Sequence, residues 1–222
     1  QLYRTFIEQQ RYLMLLDGLK NTIIITLGAL LIGIVLGTAV AVIKFLAEEK
    51  PALKPLAWLC NVYVTVVRGV PVVVLLLIFY FVILRSADGI VTGIVAFGIN
   101  SGAYMAEIIR GGINAVDGGQ TEAARSLGFN RMASMRFVVL PQAVKNILPA
   151  IGNEMIALLK ETAVAGYVAV QDLTRAANLI RNNTYDALNP LLATAIVYLT
   201  MVVLLTALLG KLEMRLRGGD VR

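Results

Sequence analysis

Long apolar runs, each bounded by short polar segments, dominate the sequence. About 20 predominantly apolar residues in a helix are enough to cross the hydrocarbon core of a bilayer. Runs of this kind cover, approximately, residues 21–43, 56–84, 90–109, 147–170 and 188–210. Because unpaired backbone groups are not tolerated in lipid, these runs are expected to be helices. The pattern therefore predicts an all-α integral membrane protein with about five transmembrane helices in a single domain, 1–222.

Polar residues interrupt this pattern. The second run is broken at Arg68-Gly69-Val70-Pro71, where the proline is expected to end a helix. Residues 111–145 form a polar stretch that is too long for a simple turn, and its middle is rich in helix formers. A further polar segment, around residues 171–187, separates the last two runs. The long stretch is therefore predicted to be a loop outside the bilayer that contains a short helix.

The N-terminal segment, residues 1–20, does not have the pattern of a signal peptide. It contains Glu8 and Asp17, and it has no short apolar core followed by small residues. Its apolar side chains can share one side of a helix, with polar residues opposite. This arrangement predicts a helix lying at the extracytoplasmic membrane interface. A frayed or partner-bound end is the alternative.

Composition and charge agree with a membrane protein. The chain is 58% apolar and 15% charged, whereas soluble domains carry about 25% charged residues. Its net charge is +6, but the basic residues cluster at the ends of the apolar runs, which favours contact with lipid headgroups over binding of nucleic acid. If the basic tail is cytoplasmic, that side carries about twice as many lysines and arginines as the other. The N-terminus is therefore predicted to lie outside and the C-terminus inside.

Several kinds of site are excluded by the residues present. There is no histidine, so a histidine-ligated metal and a histidine proton relay are excluded. Cys60 is the one cysteine, so no intrachain disulfide can form, and a buried apolar role is expected for it. No phosphate-binding pattern Gly-x4-Gly-Lys-Ser/Thr occurs. We therefore expect a protein that is not an enzyme, holds no cofactor and does not hydrolyse ATP.

The polar loop 111–145 contains a motif of fixed spacing. Glu122-Ala123-Ala124 is followed after three residues by Gly128, and nine residues later by Val138, with Leu140-Pro141 completing the pattern. This resembles the EAA loop of bacterial ABC importer permeases, except that valine stands at 138 where isoleucine is usual. The resemblance implies that Glu122, Ala123, Ala124, Gly128, Leu140 and Pro141 couple the chain to a separate ATPase subunit.

The residue types suit that role. Small side chains at Ala123 and Ala124 allow a short helix to press closely against a partner. Glu122 is expected at the start of this helix, where a carboxylate is favourable. Gly128 is expected to end it with a positive φ angle. A surface helix that merely joins two spans is the alternative.

Other segments resemble the polar amino-acid branch of these permeases, which includes histidine, arginine and glutamine permeases. They are Tyr104–Gly112, Arg68–Pro71, Gly152–Glu154 and Leu159–Thr162. Val70 replaces the usual threonine, and Ala163 replaces the usual serine after Thr162. The resemblance extends from about residue 18 to the tail.

This resemblance implies a type I ABC importer-like fold in the bacterial inner membrane. It also implies several partners: a second permease subunit in a homo- or heterodimer, ABC ATPase subunits that bind ATP-Mg, and an extracytoplasmic amino-acid-binding protein. Movement of the EAA loop, driven by ATP in the partner, would switch the spans between outward and inward openings.

Ionisable residues within apolar spans are the candidates for substrate contact, because a charge at bilayer depth costs at least about 2.5 kcal/mol. Glu154 lies inside the fourth run beside Asn153, and its carboxylate suits a cation. An interhelical hydrogen bond is the alternative role for Glu154. Asn100 and Tyr104 fall on one helical face with Glu107, and Ser101 and Met105 lie beside them.

Four other charged positions have structural roles as alternatives to substrate contact. Glu107 is expected to pair with Arg110 one turn on, or with the loop. Arg68, at the predicted helix break, is expected either to bind a substrate carboxylate or to anchor loosened carbonyls and another span. Lys160 and Glu161 lie near the far end of the fourth run, where a salt bridge, a gate contact and snorkelling to the interface are all open.

The substrate hypothesis rests on Glu154, which has no obvious counter-charge near it in the sequence. It favours a basic amino acid such as arginine, with glutamine or another neutral polar amino acid as the alternative. In a further alternative, the chain has no binding pocket of its own and selectivity resides entirely in the external binding protein. An ion-coupled secondary transporter usually has more spans and an internal repeat, and it leaves the loop motif unexplained. A membrane scaffold leaves Glu154 and Asn153 unexplained.

Overall fold

The computed structural model describes residues 2–168 and 170–217, together with all side chains in these ranges except that of Arg217. Its helices are α1 (Tyr12–Ala47), α2 (Lys54–Gly69), α3 (Val72–Ile78), α4 (Gly89–Asn114), α5 (Gly118–Ser126), α6 (Arg131–Ser134), α7 (Leu140–Glu161), α8 (Leu173–Thr184) and α9 (Leu188–Arg217). Short π-helical turns, Phe79–Ile83 and Met135–Val139, extend α3 and precede α7. A 3-10 segment, Thr162–Val168, follows α7.

Three of these helices, α1, α4 and α9, are long and apolar enough to cross a membrane within the described residues, and the pair formed by α2 and α3 with their flanking turns makes a fourth if it is one broken span. The fourth predicted run corresponds to α7, which has 22 residues and carries Lys145, Glu154, Lys160 and Glu161. It packs against α4, α1 and α9. The all-α membrane architecture with about five spans is therefore confirmed.

The predicted break in the second run is present. Val70 is extended and Pro71 precedes α3, so the helix is interrupted and its two parts meet at an angle of 109°. Proline lacks the N–H that would continue the helix, and it disfavours helical geometry at the residue before it.

Small residues bring α1 and α4 into close contact. A methyl group built on Gly33 would lie 2.8 Å from the Ser101 Oγ, and one built on Gly37 would overlap Met105. Glycine and alanine at such crossings let two membrane helices approach backbone to backbone. The α1–α4 pair thus forms the rigid centre against which α7 and α2 pack.

The boundary predicted at Lys20 does not coincide with a boundary in the structure. α1 begins at Tyr12 and runs through Lys20 without interruption, while Tyr3–Ile7 and Glu8–Gln10 form separate short turns. Within this part of α1, a methyl group built on Gly18 would lie 2.7 Å from the Asp172 carbonyl oxygen, so α1 packs closely against the start of α8. At the other end of the segment, Thr5 donates a hydrogen bond of 2.7 Å to Asp186 Oδ2.

The polar segment before the last span contains an amphipathic helix that the sequence analysis did not predict. α8 buries Leu173, Ala176, Ala177 and Ile180 completely and leaves its polar side chains on the opposite side. The apolar spacing i, i+3, i+4 and i+7 is the signal that would have revealed it.

Candidate functional site

Polar side chains of α4 and α7 meet inside the helix bundle. Ser101 Oγ donates a hydrogen bond of 3.1 Å to Glu154 Oε1, and Asn100 Nδ2 donates one of 3.4 Å to Glu161 Oε2. Ser101 is fully buried and Asn100 is 3% exposed. Two of the predicted substrate-binding residues of α4 therefore contact carboxylates of α7.

Local sequence explains why these groups face each other. Glu154 and Glu161 are seven residues apart, or about two helical turns, so both project from one side of α7. Gly33 of α1 packs directly against the Ser101 side chain, whose hydroxyl donates its hydrogen bond to α7. The involvement of Glu161 was left open by the sequence, although the seven-residue spacing from Glu154 was visible there.

A second polar group lies further along α4, toward the EAA loop. Arg110 Nη2 lies 2.7 Å from Glu107 Oε2, which confirms the predicted pairing of these residues. Arg68 Nη1 lies 3.9 Å from the same oxygen, and its guanidinium lies over the ring of Tyr104, 5.2 Å from the centroid. Arg68 thus links the end of α2 to another span, α4, which is one part of the structural role predicted for it.

A cavity of about 410 Å³ opens beside Arg68 and Glu107, and its lining also includes Lys44 and Thr65. The Arg68 side chain remains 43% exposed while it contacts Glu107. Its guanidinium is therefore accessible from this cavity, and binding of a substrate carboxylate by Arg68 stays a prediction.

The remaining candidates lie in different environments. Met105 is fully buried against Gly37 of α1, so it would reach a substrate only after α1 and α4 move apart. Asn153 is exposed on α7, whereas its neighbour Glu154 is half-buried. The seven candidates therefore divide into a Ser101–Glu154 pair, an Arg68–Tyr104 pair, and three residues outside both pairs, of which Asn100 contacts Glu161.

The EAA loop folds into α5, and one prediction about it is wrong. Glu122 lies in the middle of this nine-residue helix, and Asp117 is its N-cap, accepting a hydrogen bond of 2.9 Å from the Gly119 N–H. An aspartate just before the helix satisfies a free backbone donor in a way that Glu122, four residues inside, does not. Gly128 has φ of 88°, which confirms that it ends the helix in the left-handed conformation.

The exposed face of the loop is defined by a few side chains. Glu122 and Ala123 are exposed, whereas Ala124 is buried within the chain. Leu127, which sequence reasoning missed, is 81% exposed directly before Gly128. Leu140 and Pro141 begin α7 and are also exposed, with proline in the first turn where it needs no hydrogen-bond donor.

The loop is attached to the end of α1 through Arg131. Its guanidinium contacts Glu48, lies 3.9 Å from Glu49 Oε1, and stacks over the ring of Phe45 at 4.8 Å. Asn130 caps the short helix that carries Arg131, accepting a hydrogen bond of 2.8 Å from the Ala133 N–H. Arg131 therefore links the EAA loop, which we also call the coupling loop, to the end of α1.

Comparison with known proteins identifies the family. The family described as the inner membrane component of binding-protein-dependent transport systems matches residues 33–218. The arginine transport system permease protein ArtQ of Bacillus subtilis is 37% identical over 210 residues, covering 93% of this chain and 94% of that protein. The probable glutamine ABC transporter permease protein GlnM of the same organism is 36% identical, covering 91% and 93%.

Solved structures share the fold. A crystal structure of an amino acid ABC transporter with histidines is similar with a TM-score of 0.87 at 40% identity, covering 95% of this chain and 98% of that chain. The MetNI methionine ABC transporter, in an inward-facing conformation, has a TM-score of 0.79 at 21% identity and therefore supports the fold alone. The chain belongs to the family of inner membrane components of binding-protein-dependent transport systems, the ABC importer permeases that its EAA loop resembles.

Proposed function

We propose that this ABC importer permease carries a basic amino acid such as arginine past Glu154. The observation that supports this most is the contact between Ser101 and Glu154, which places a carboxylate and a hydroxyl together between α4 and α7. A relative named as an arginine permease and a similar transporter solved with histidines agree with a basic substrate.

The charge around Glu154 supports a cationic ligand. In the part of the chain that the structure describes, no lysine or arginine lies within ion-pair distance of this carboxylate. Glu154 is half-buried, and a carboxylate that is partly removed from water without a cation is unfavourable, so a substrate ammonium or guanidinium would compensate it through charge-assisted hydrogen bonds. Ser101 holds one carboxylate oxygen in place and leaves the other for the ligand.

Glutamine is the second candidate substrate, because relatives are also named as glutamine permeases. A neutral amide would donate to the free oxygen of Glu154 and to the lone pairs of the Ser101 hydroxyl, while the substrate α-ammonium supplies the positive charge. The two candidates differ in how strongly they depend on the charge of Glu154 rather than on its hydrogen-bonding capacity.

The mechanism we infer is alternating access driven by a partner. α5 would seat on an ABC ATPase subunit through Glu122, Ala123 and Leu127, and ATP-dependent movement of that subunit would shift the bundle. An extracytoplasmic binding protein would deliver the amino acid at the opposite end, with the N-terminus outside and the C-terminus in the cytoplasm of a bacterial cell. A second permease subunit would complete the pathway.

Substitution of Glu154 by glutamine tests the proposed role, since it removes the charge and keeps the size. In vesicles containing the permease with its ATPase and binding protein, we expect ATP-driven arginine uptake to fall by about tenfold or more, because a charge-assisted hydrogen bond is lost. Glu8→Gln is the matched control, since Glu8 is exposed in the N-terminal turn. Unchanged arginine uptake in Glu154→Gln would show that Glu154 is not the cation site.

A further inference from the structure

A polar cavity of about 560 Å³ lies at the end of α7 that is remote from the coupling loop. One wall is the 3-10 segment Thr162–Val168 that follows α7, and the other is α8. The side chains and backbone that matter for its chemistry belong to Gly166, Tyr167, Thr174, Arg175, Asn178 and Arg181.

The amphipathic character of α8 creates this cavity. The apolar face of the helix is completely buried, so the helix is fixed in orientation. Thr174, Asn178 and Arg181 are spaced i, i+4 and i+7 and therefore share the opposite face, which lines the cavity. All three are half-buried, so they are sheltered but still accessible.

The lining carries positive charge without a counter-charge. It includes Arg175 and Arg181 and no aspartate or glutamate. Arg175 Nη1 donates to the Gly166 carbonyl at 2.9 Å, and Arg181 Nε donates to Asn182 Oδ1 at 3.4 Å. Asp172, the acid nearest to Arg175 in sequence, lies behind the wall at Gly166 and accepts from the backbone N–H groups at the start of α8. Asp186, the acid nearest to Arg181 in sequence, accepts hydrogen bonds from Thr5 and Asn189. Among residues 2–168 and 170–217, neither arginine forms an ion pair.

Two half-buried guanidiniums with amide and hydroxyl neighbours form a typical environment for a carboxylate, since guanidinium binds it in a planar, bidentate manner. The cavity also adjoins the acidic face of α7. Glu161 ends that helix directly before the cavity wall, and Glu154 lies about 10 Å further inside along the helix axis. From the cavity inward, the two arginines therefore come first and the two glutamates of α7 follow.

We propose that this cavity is an outer substrate site that binds the α-carboxylate of the amino acid before it reaches Glu154. This inference rests on the proposed function, since the ligand is the transported amino acid. An amino acid that is held by its carboxylate at Arg175 and Arg181 points its ammonium or cationic side chain toward the α7 glutamates. The cavity thus orients the substrate for transfer to the inner site.

Equilibrium dialysis of radiolabelled arginine against the purified permease–ATPase complex, without the binding protein, tests this. We expect two molecules per permease chain in the wild type and one in Glu154→Gln. Arg181→Gln should weaken the outer site by about tenfold or more, and agmatine, which is arginine without its carboxylate, should fill one site only. Arg85→Gln, in an exposed turn, is the control.

Arg181 is substituted rather than Arg175, because Arg175 also donates a hydrogen bond to the Gly166 carbonyl. Substitution of Arg175 would therefore disturb the cavity wall itself. Co-purification with the ATPase verifies folding of each variant. Two bound molecules in Arg181→Gln with unchanged affinity, or two bound molecules of agmatine, would overturn the outer site. If the wild type binds a single arginine per permease chain and Glu154→Gln binds none, the outer site is overturned while the proposed function stands.

Repeating the dialysis with glutamine covers the alternative substrate, and no binding of either amino acid would refute both the outer site and the proposed inner one. A carboxylate on the binding protein is the other possible occupant. If Arg181→Gln weakens docking of that protein and leaves amino-acid stoichiometry unchanged, the cavity is a protein contact and the outer substrate site is overturned.

Discussion

The hydroxyl of Ser101 on α4 donates a hydrogen bond to the carboxylate of Glu154 on α7 across 3.1 Å. Because Ser101 is fully buried against Gly33 of α1, the position of this hydroxyl is fixed by helix packing. The pair therefore links the geometry of three helices to the orientation of one carboxylate. Any change in α1–α4 packing is expected to change how Glu154 is presented.

Removal of the Ser101 hydroxyl is the first prediction. Ser101→Ala leaves Glu154 without its donor, so the carboxylate is less well oriented for a cationic ligand. We expect the KM for arginine uptake to rise by about tenfold while the permease still assembles with its ATPase. Thr200→Ala is the control, because that hydroxyl bonds only to the Ile196 carbonyl on exposed α9. An unchanged KM in Ser101→Ala would show that the contact does not serve substrate binding.

Close packing at Gly33 gives a stability prediction. A methyl group there would lie 2.8 Å from Ser101 Oγ and 2.9 Å from Ser101 Cβ, so the helices must separate. Overpacking of this kind costs about 1–3 kcal/mol, and the apparent Tm of the purified protein should fall by several degrees.

Gly111→Ala is the comparison for Gly33→Ala, since nothing lies within 4 Å of a methyl group at that position. Alanine favours a helix over glycine by up to about 1 kcal/mol, so this variant should keep or raise the Tm. Equal thermal stability of the two variants would contradict the α1–α4 packing described above.

The sequence predicts the main features of the fold because they depend on local chemistry. Apolar runs predict spans, Pro71 predicts the 109° break, and Gly128 predicts the end of α5. The same approach placed Glu122 at the wrong position in its helix, because the capping role of Asp117 was not recognised.

The sequence did not predict which residues of distant segments contact each other. Asn100 and Glu161 are 61 residues apart, and only tertiary packing brings them together. Tyr104 and Met105 are adjacent in sequence, yet one contacts Arg68 and the other is buried against α1. Helical periodicity predicts on which face of its helix a residue lies. It does not predict which other helix packs against that face.

Arg131 is predicted to matter for coupling more than for stability. Its contacts with Glu48 and Glu49 are exposed, and pairs of this kind contribute at most about 1 kcal/mol. Arg131→Ala should therefore leave the Tm nearly unchanged, but the stimulation of ATP hydrolysis by substrate should fall toward the basal rate, because α1 no longer follows the loop.

The ratio of stimulated to basal ATP hydrolysis measures this effect, with Arg85→Ala as a control for loss of an exposed arginine. Combined replacement of Glu48 and Glu49 by glutamine should reproduce the Arg131 phenotype. Normal stimulation in Arg131→Ala would show that the loop moves independently of α1.

Acidification is predicted to release the N-terminal turn. Hydrogen bonds from Asn189, and then from Thr5, hold the pKa of Asp186 below its ordinary value. A carboxyl with a lowered pKa in the folded state stabilises the fold above its unfolded pKa of about 4 and loses this effect as the pH falls through the folded pKa.

Proteolysis within residues 3–10 should therefore be slow and constant from about pH 5 to pH 8 and accelerate below about pH 4. Hydrogen exchange of the same segment gives an independent measurement. Asp186→Asn should remove this pH dependence. Acid release that persists in Asp186→Asn would assign the effect to another carboxyl group.

ATP-driven uptake in reconstituted vesicles tests the central claim most directly. The permease is incorporated with its ATPase and supplied with its binding protein and radiolabelled arginine. The account predicts that uptake requires ATP on the side of the vesicle membrane where the ATPase is bound. It also predicts that uptake is lost when the ATPase is omitted and is unaffected by an uncoupler. Uptake that continues without ATP and collapses with an uncoupler would contradict it and indicate an ion-coupled transporter.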